Sequence, residues 1–160
     1  MSKFLILFLA CFNLSFSQEL SIHQLAIEHI KNSEDFKSFT NGQTNKIQVM
    51  PEVIPFSDIG FGYFDEVLEQ TGTDYSNGQN SEPVVEDKSL EVLSEKKKSK
   101  LKLWFSPTSS NVLMAELAIA RSKNDYYHDG ITNFGLTLVF YMRFENGELA
   151  GIKASERHNN

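Results

Sequence analysis

The chain has 160 residues, is 41% hydrophobic with 13 Phe, and carries a formal charge of −6. Such a composition is globular rather than disordered, and the length suits one domain with a substantial core. The acidic balance excludes the basic footprint that nucleic acid demands, and equally an electrostatic grip on anionic lipid.

The opening residues predict export. Lys3 supplies a positive start, and Phe4 to Phe12 is an apolar run of signal-peptide length. Ser15-Phe16-Ser17 then places small residues where a signal peptidase reads, just before polar Gln18. The run is too short to span a bilayer, which takes about 20 apolar residues, so no transmembrane segment is expected. A buried first strand or helix is the competing structural reading. The expected organisation is a signal peptide over 1–17 and a single domain over 18–160, secreted or periplasmic after cleavage. Phe8-Leu9-Ala10-Cys11 matches a lipidation box poorly, but a lipoprotein anchored at Cys11 is the alternative outcome. Cleavage after Ser17 removes one lysine and the sole cysteine, leaving 143 residues at a formal charge of −7. A chain without thiols relies on its core rather than on disulfides, and it has no thiolate for catalysis or zinc.

Ser21 and Gln24 form a capping box, and Ile22, Leu25, Ala26 and Ile30 succeed it at helical spacing. Ser33 caps a second short helix, with Glu34 and Asp35 at its positive end, Phe36 and Phe39 to bury, and Asn41-Gly42 to end it. Lys46 to Met50 alternates as a short strand, and Pro51 and Pro55 restrict the next residues to an edge or an extended loop. Phe64, Val67 and Leu68 suggest another short helix, stopped at Gly72. Over about 73–99 the chain turns polar, acidic first and then basic at Lys96-Lys97-Lys98. It reads as a polar mobile insertion that only Leu90, Val92 and Leu93 could anchor, with one helical turn after Ser89.

Strand periodicity dominates the last third. Leu101, Leu103 and Phe105 alternate with Lys102 and Trp104, and Pro107 to Asn111 supplies a turn. Val112 to Arg121 is apolar on both faces except at Glu116, as befits a central strand. Lys123 to Asn133 reads as a polar and aromatic loop. Leu136, Leu138, Phe140, Met142 and Phe144 then line one face of a long strand, and Leu149 to Arg157 returns. The predicted fold class is α+β, with N-terminal helices packed on a four-stranded antiparallel meander. At Asn146-Gly147 a two-residue turn sets Glu145 against Glu148. A three-residue bulged loop instead faces Phe144 with Glu148, Met142 with Ala150, Phe140 with Ile152 and Leu138 with Ala154. The bulged loop is predicted, because it gathers the apolar groups on one side.

This order of elements resembles the nuclear transport factor 2-like superfamily, in which N-terminal helices lie on a strongly curved sheet. Glu145-Asn146-Gly147-Glu148 stands where that superfamily often has a polar hairpin turn. The likeness covers element order and one hairpin, and it implies a cone-shaped α+β fold. Members include both enzymes and plain binding proteins, so it implies no particular activity.

Signatures of chemistry are missing: no phosphate loop, nucleophile elbow, paired-histidine zinc helix or calcium loop. No catalytic residue, metal ligand or cofactor is therefore assigned. His23 and His29 lie roughly 240° apart on a helix and cannot share an ion, and His29, beside the apolar stripe, reads as a partly buried helix residue. His128 next to Asp129 could bind metal or act as an acid–base pair, although such groupings are common in polar loops. His158 reads as a solvated tail residue. Ile59-Gly60-Phe61-Gly62-Tyr63 fits a helix-entry loop better than a ligand loop. Lys96 to Lys98 fits a solvated run better than a docking patch.

Glu116 is the sharpest residue, because a carboxylate in an apolar strand must be paired, hydrated or at a cavity mouth. Trp104, Tyr141, Arg143 and Lys153 all point to its side of the sheet by alternation. Together the five make a candidate ligand-binding surface with aromatic walls and a few charges. The alternative is an outer face with an ordinary Glu116–Arg143 or Glu116–Lys102 cross-strand pair. Three functions are compatible with this surface: a non-catalytic exported domain binding a small apolar ligand or an envelope protein, a small extracellular enzyme using Glu116 as acid or base, or a structural accessory protein.

Overall fold

The computed structural model describes residues 22–42, 46–59, 63, 65, 69, 72, 83–132 and 135–158. The expected signal peptide, the Ser21 cap, the Gly60–Gly62 loop, the helix through Phe64, Val67 and Leu68, and residues 73–82 of the polar insertion lie outside them.

The class is α+β, around a six-stranded sheet rather than the four-stranded one expected. Helix α1 covers 22–32, and its buried residues Ala26, Ile27 and Ile30 recur at the helical period. Helix α2, Glu34–Phe39, starts where Ser33 Oγ accepts from the Phe36 N–H at 3.1 Å. It ends in two left-handed residues, Asn41 at φ 47° and Gly42 at φ 64°.

Strand β1, Gln48–Val53, departs most from expectation. It does not end at Pro51 and is not a free edge. It lies parallel to β3, Leu101–Phe105, with a break in register between Val49 and Val53 that accommodates the proline. Its other side is covered by the supposed insertion. Strand β2, Val85–Glu86, pairs with Glu52 and Val53, and Asp87 N–H donates to Pro51 O at 2.7 Å. Farther along, the Ser94 hydroxyl and the Glu95 carboxylate take the N–H groups of Val49 and Ile47 at 2.9 and 3.0 Å. A 3₁₀ helix, Lys88–Leu93, joins these contacts and buries Leu90. Residues 83–99 thus satisfy the backbone of one side of β1, which polarity alone did not reveal.

From β3 onward each strand pairs antiparallel with the next: β4, Val112–Ile119; β5, Leu136–Glu145; β6, Glu148–His158. The β5–β6 hairpin corrects the predicted bulged loop. Asn146 at φ 53° and Gly147 at φ 81° form a two-residue turn with Glu145 opposite Glu148. The extra residue comes later, at Ala150, between the pairs Phe144–Leu149 and Arg143–Gly151. That shift keeps Leu149 and Ala154 on the side of Phe144 and Phe140, so the apolar set is still gathered.

Both faces of the sheet are covered. The first carries Leu103, Phe105, Leu117, Phe140 and Phe144 against α1 and α2. The second carries Trp104, Met114, Val139 and Tyr141 against Ile54, Phe56 and Ile59. Phe56–Ile59 is helix α3, and the span expected as a loop contains a further helix, α4, His128–Thr132.

Candidate functional site

The second face is built by pairing. Trp104 stands directly across from Glu116, Glu116 from Val139, Met114 from Tyr141, and Tyr141 from Lys153. Directly opposed residues share a face, so Trp104, Glu116, Tyr141, Arg143 and Lys153 lie on one side of the sheet. They are not equivalent. Trp104 and Glu116 are fully buried and Tyr141 nearly so, whereas Arg143 is half-exposed and Lys153 exposed. Arg143 reaches Glu145 at 3.5 Å, and Lys102 bonds elsewhere, so neither expected cross-strand pair of Glu116 forms.

Glu116 meets His128 instead. His128 Nε2 lies 2.8 Å from Glu116 Oε2, and its Nδ1 lies 3.3 Å from Asp129 Oδ1. The His128 ring stands edge-on to Trp104, with centroids 5.2 Å apart. Glu52 adds a third acid: its Oε2 accepts from Trp104 Nε1 at 3.1 Å and from the His128 N–H at 3.3 Å. Burial alone would push the His128 pKa down, but hydrogen bonding and charge from Glu116, and then Asp129, outweigh it and raise it above the ordinary imidazole value. Helix α4 is thus fastened to the sheet through its first residue. No sequence signal linked His128 or Glu52 to Glu116; an unpaired acid in an apolar strand only announced that some partner must exist.

Among the described residues, Glu116 Oε1 and Thr137 Oγ1 are buried with no hydrogen bond. Thr137 stands opposite Ala118, two residues from Glu116 on the same strand face, so the two are diagonal neighbours. Tyr63 stacks on Tyr141 at 5.7 Å and closes the face on that side.

Toward β1 the same face holds a buried lysine. Lys102 Nζ donates to Gln48 Oε1 at 2.7 Å and to Lys123 O at 3.2 Å, and it lies 4.9 Å from the Tyr126 ring centroid. Burial pushes its pKa down, and the charge of Asp125 works against that. The other histidines divide against expectation. His23 is the buried one, edge-on to Phe105, and His29 is exposed. Among the described residues no group of three or more His, Cys, Asp or Glu could hold a metal ion, and no helix is long and apolar enough to cross a membrane.

No protein-family model matches the chain, and no curated protein or solved structure matches it significantly.

Proposed function

We propose that the protein is an exported, non-catalytic domain that holds a small, largely apolar ligand on the second sheet face, with Glu116 as its polar anchor. One observation carries this: among the described residues Glu116 Oε1 is a fully buried carboxylate oxygen without a partner, and its diagonal neighbour Thr137 has its Oγ1 in the same condition. A buried polar atom left unpaired costs about 1–3 kcal/mol, and more when charged. A ligand O–H or N–H donor offered to Glu116 removes that cost, and for it to enter, α3 or α4 must swing off the packed cluster of Trp104, Met114, Val139 and Tyr141, which then supplies apolar walls. Arg143 and Lys153, at the exposed rim, suit a carboxylate headgroup or the surface of an envelope protein. The signal-peptide pattern at Lys3 to Ser17 puts this activity in a secreted or periplasmic setting. The likeness in element order to the nuclear transport factor 2-like superfamily belongs to this reading and favours neither enzyme nor binder.

Trp104 is the single tryptophan, so its emission reports on the face directly. Titration with 1-decanol should give a saturable emission change. Decyl methyl ether, which keeps the chain and lacks the donor, should bind more weakly, and Glu116→Leu should erase the difference. Equal responses to both probes, or none to either, would overturn the reading, and an unresponsive face is what a structural accessory protein predicts.

An enzymatic reading has one observation of its own. The series Glu116, His128, Asp129 runs from a fully buried side chain to one that is 87% exposed, a path along which a proton can pass between solvent and Glu116. In that case Glu116→Gln would abolish turnover while leaving ligand affinity nearly unchanged.

A further inference from the structure

A second feature lies at the end of the sheet where β1 and β3 begin and β4 has just ended. Lys46, Lys96, Ser99, Lys100 and Lys123 line a cleft of about 270 Å³ there. Four lysines line one cleft in a chain whose formal charge is −6, so the clustering is not a matter of composition. Among the described residues none of the four is within 4.0 Å of a carboxylate, while Lys31, Lys37 and Lys88 each have one. Glu95, the acid next to Lys96 in the chain, is turned away, since its carboxylate is engaged by Lys31 and by the Ile47 N–H.

The backbone under the cleft is held by bonds between distant segments. Ser99 Oγ donates to Lys46 O at 2.7 Å, the Ala120 N–H to Lys100 O at 2.7 Å, and Lys102 Nζ to Lys123 O at 3.2 Å. Gln48 Oε1 joins them by accepting from both the Ser99 N–H and Lys102 Nζ. The segments that carry the four lysines are therefore fixed relative to one another, and only the side-chain ends must be ordered on binding. The fully buried Lys102 ties this backbone together through two neutral oxygens, Gln48 Oε1 and Lys123 O.

We infer that this cleft binds the oxyanion group, phosphate or sulfate, of a small molecule. Lysine ammoniums are compact point charges with three donors each, suited to a tetrahedral oxyanion that can accept from several directions. The cleft is larger than a bare oxyanion and close to the lower bound of small-ligand sites, about 300 Å³. It therefore accepts an ester with a modest organic body. A long polyanion is disfavoured, because beyond the cleft it meets a protein of net negative charge.

Calorimetric titration of the purified protein with inorganic phosphate, inorganic sulfate, glucose 6-phosphate and dextran sulfate tests this. Saturable one-site binding of glucose 6-phosphate is expected, weakening as NaCl is raised. The doubly substituted Lys100→Gln, Lys123→Gln protein should lose at least about 10-fold in affinity, by the removal of two close charges from the site. A control with Lys37→Gln and Lys88→Gln changes net charge equally and should bind as the wild type does. All four positions are exposed, and matching melting temperatures verify the folds. Equal affinity for the free ion and the ester would identify the ligand as the free oxyanion. Equal losses in both double variants, binding of dextran sulfate alone, or no binding of any small oxyanion would overturn the inference.

Discussion

His128 Nε2 lies 2.8 Å from Glu116 Oε2, and this contact joins the first residue of a five-residue helix to the middle of the sheet. Both side chains are out of water, so the pair is a fastening whose partners cannot be removed one at a time without cost. Glu116→Ala should destabilise the fold by about 3–5 kcal/mol, the range for a buried pair deprived of one member. Replacing both, by Glu116→Leu with His128→Leu, should recover most of that loss. Urea unfolding of the two variants separates a fastening from a dispensable contact.

The same pair sets a pH dependence. The His128 pKa is raised above its ordinary 6.5 in the folded protein. Its contribution to stability is then complete below the unfolded value and is lost as pH rises through the folded one. The melting temperature should fall between about pH 6 and about pH 9 by more than in His128→Gln. Parallel curves for wild type and variant would show that another group titrates.

Gly147 sits at φ 81° in the hairpin turn, where a side chain is strained whatever space surrounds it. Gly147→Ala should cost about 1 kcal/mol. At Gly151, one residue beyond the bulge, an added Cβ would meet no atom within 4 Å, and φ is not positive. Gly151→Ala should therefore be neutral or stabilise by about 0.4–1 kcal/mol. Thermal melts should place Gly147→Ala below the wild type and Gly151→Ala at or above it.

Leu90 is 2% exposed and Val92 75% exposed, two residues apart on one 3₁₀ helix. Leu90→Ala should cost about 2–5 kcal/mol and loosen the cover over β1, whereas Val92→Ala should change little. Hydrogen exchange at the Val49 amide, which bonds to Ser94 Oγ, reads the loosening directly.

Export predicts a mature chain beginning at Gln18. Intact mass of the protein recovered from its native host should match that start. A start at lipid-modified Cys11 would make the domain membrane-tethered instead.

Several elements are legible in the sequence because their causes are local. Ser33 caps α2, Asn41-Gly42 ends it, and the alternation over 101–105 and 136–144 places each side chain on a face, since all of these act within a few residues. Asn146-Gly147 also announces its turn. The register beyond the turn came out differently from the predicted one, because a bulge at Ala150 gathers apolar residues on one side just as the predicted bulge at the corner does. Packing of Leu149 beside Phe144 distinguishes them, and that contact belongs to the tertiary structure.

What only the folded chain decided is closure at long range. Alternation put Trp104, Glu116, Tyr141, Arg143 and Lys153 on one face, but it could not say that α3 and α4 lie over part of that face. Nor could it find Glu116's partner, because His128 arrives from a segment whose polar composition reads as loop. Gln48 meets Lys102 across a parallel pair 54 residues apart, and Ser99 meets Lys46 across 53, so the lysine cleft has no local signature. The physical reason is the same in each case. A side chain's period fixes its direction within its own element, whereas its partner depends on which distant strand or turn the closing sheet brings beside it.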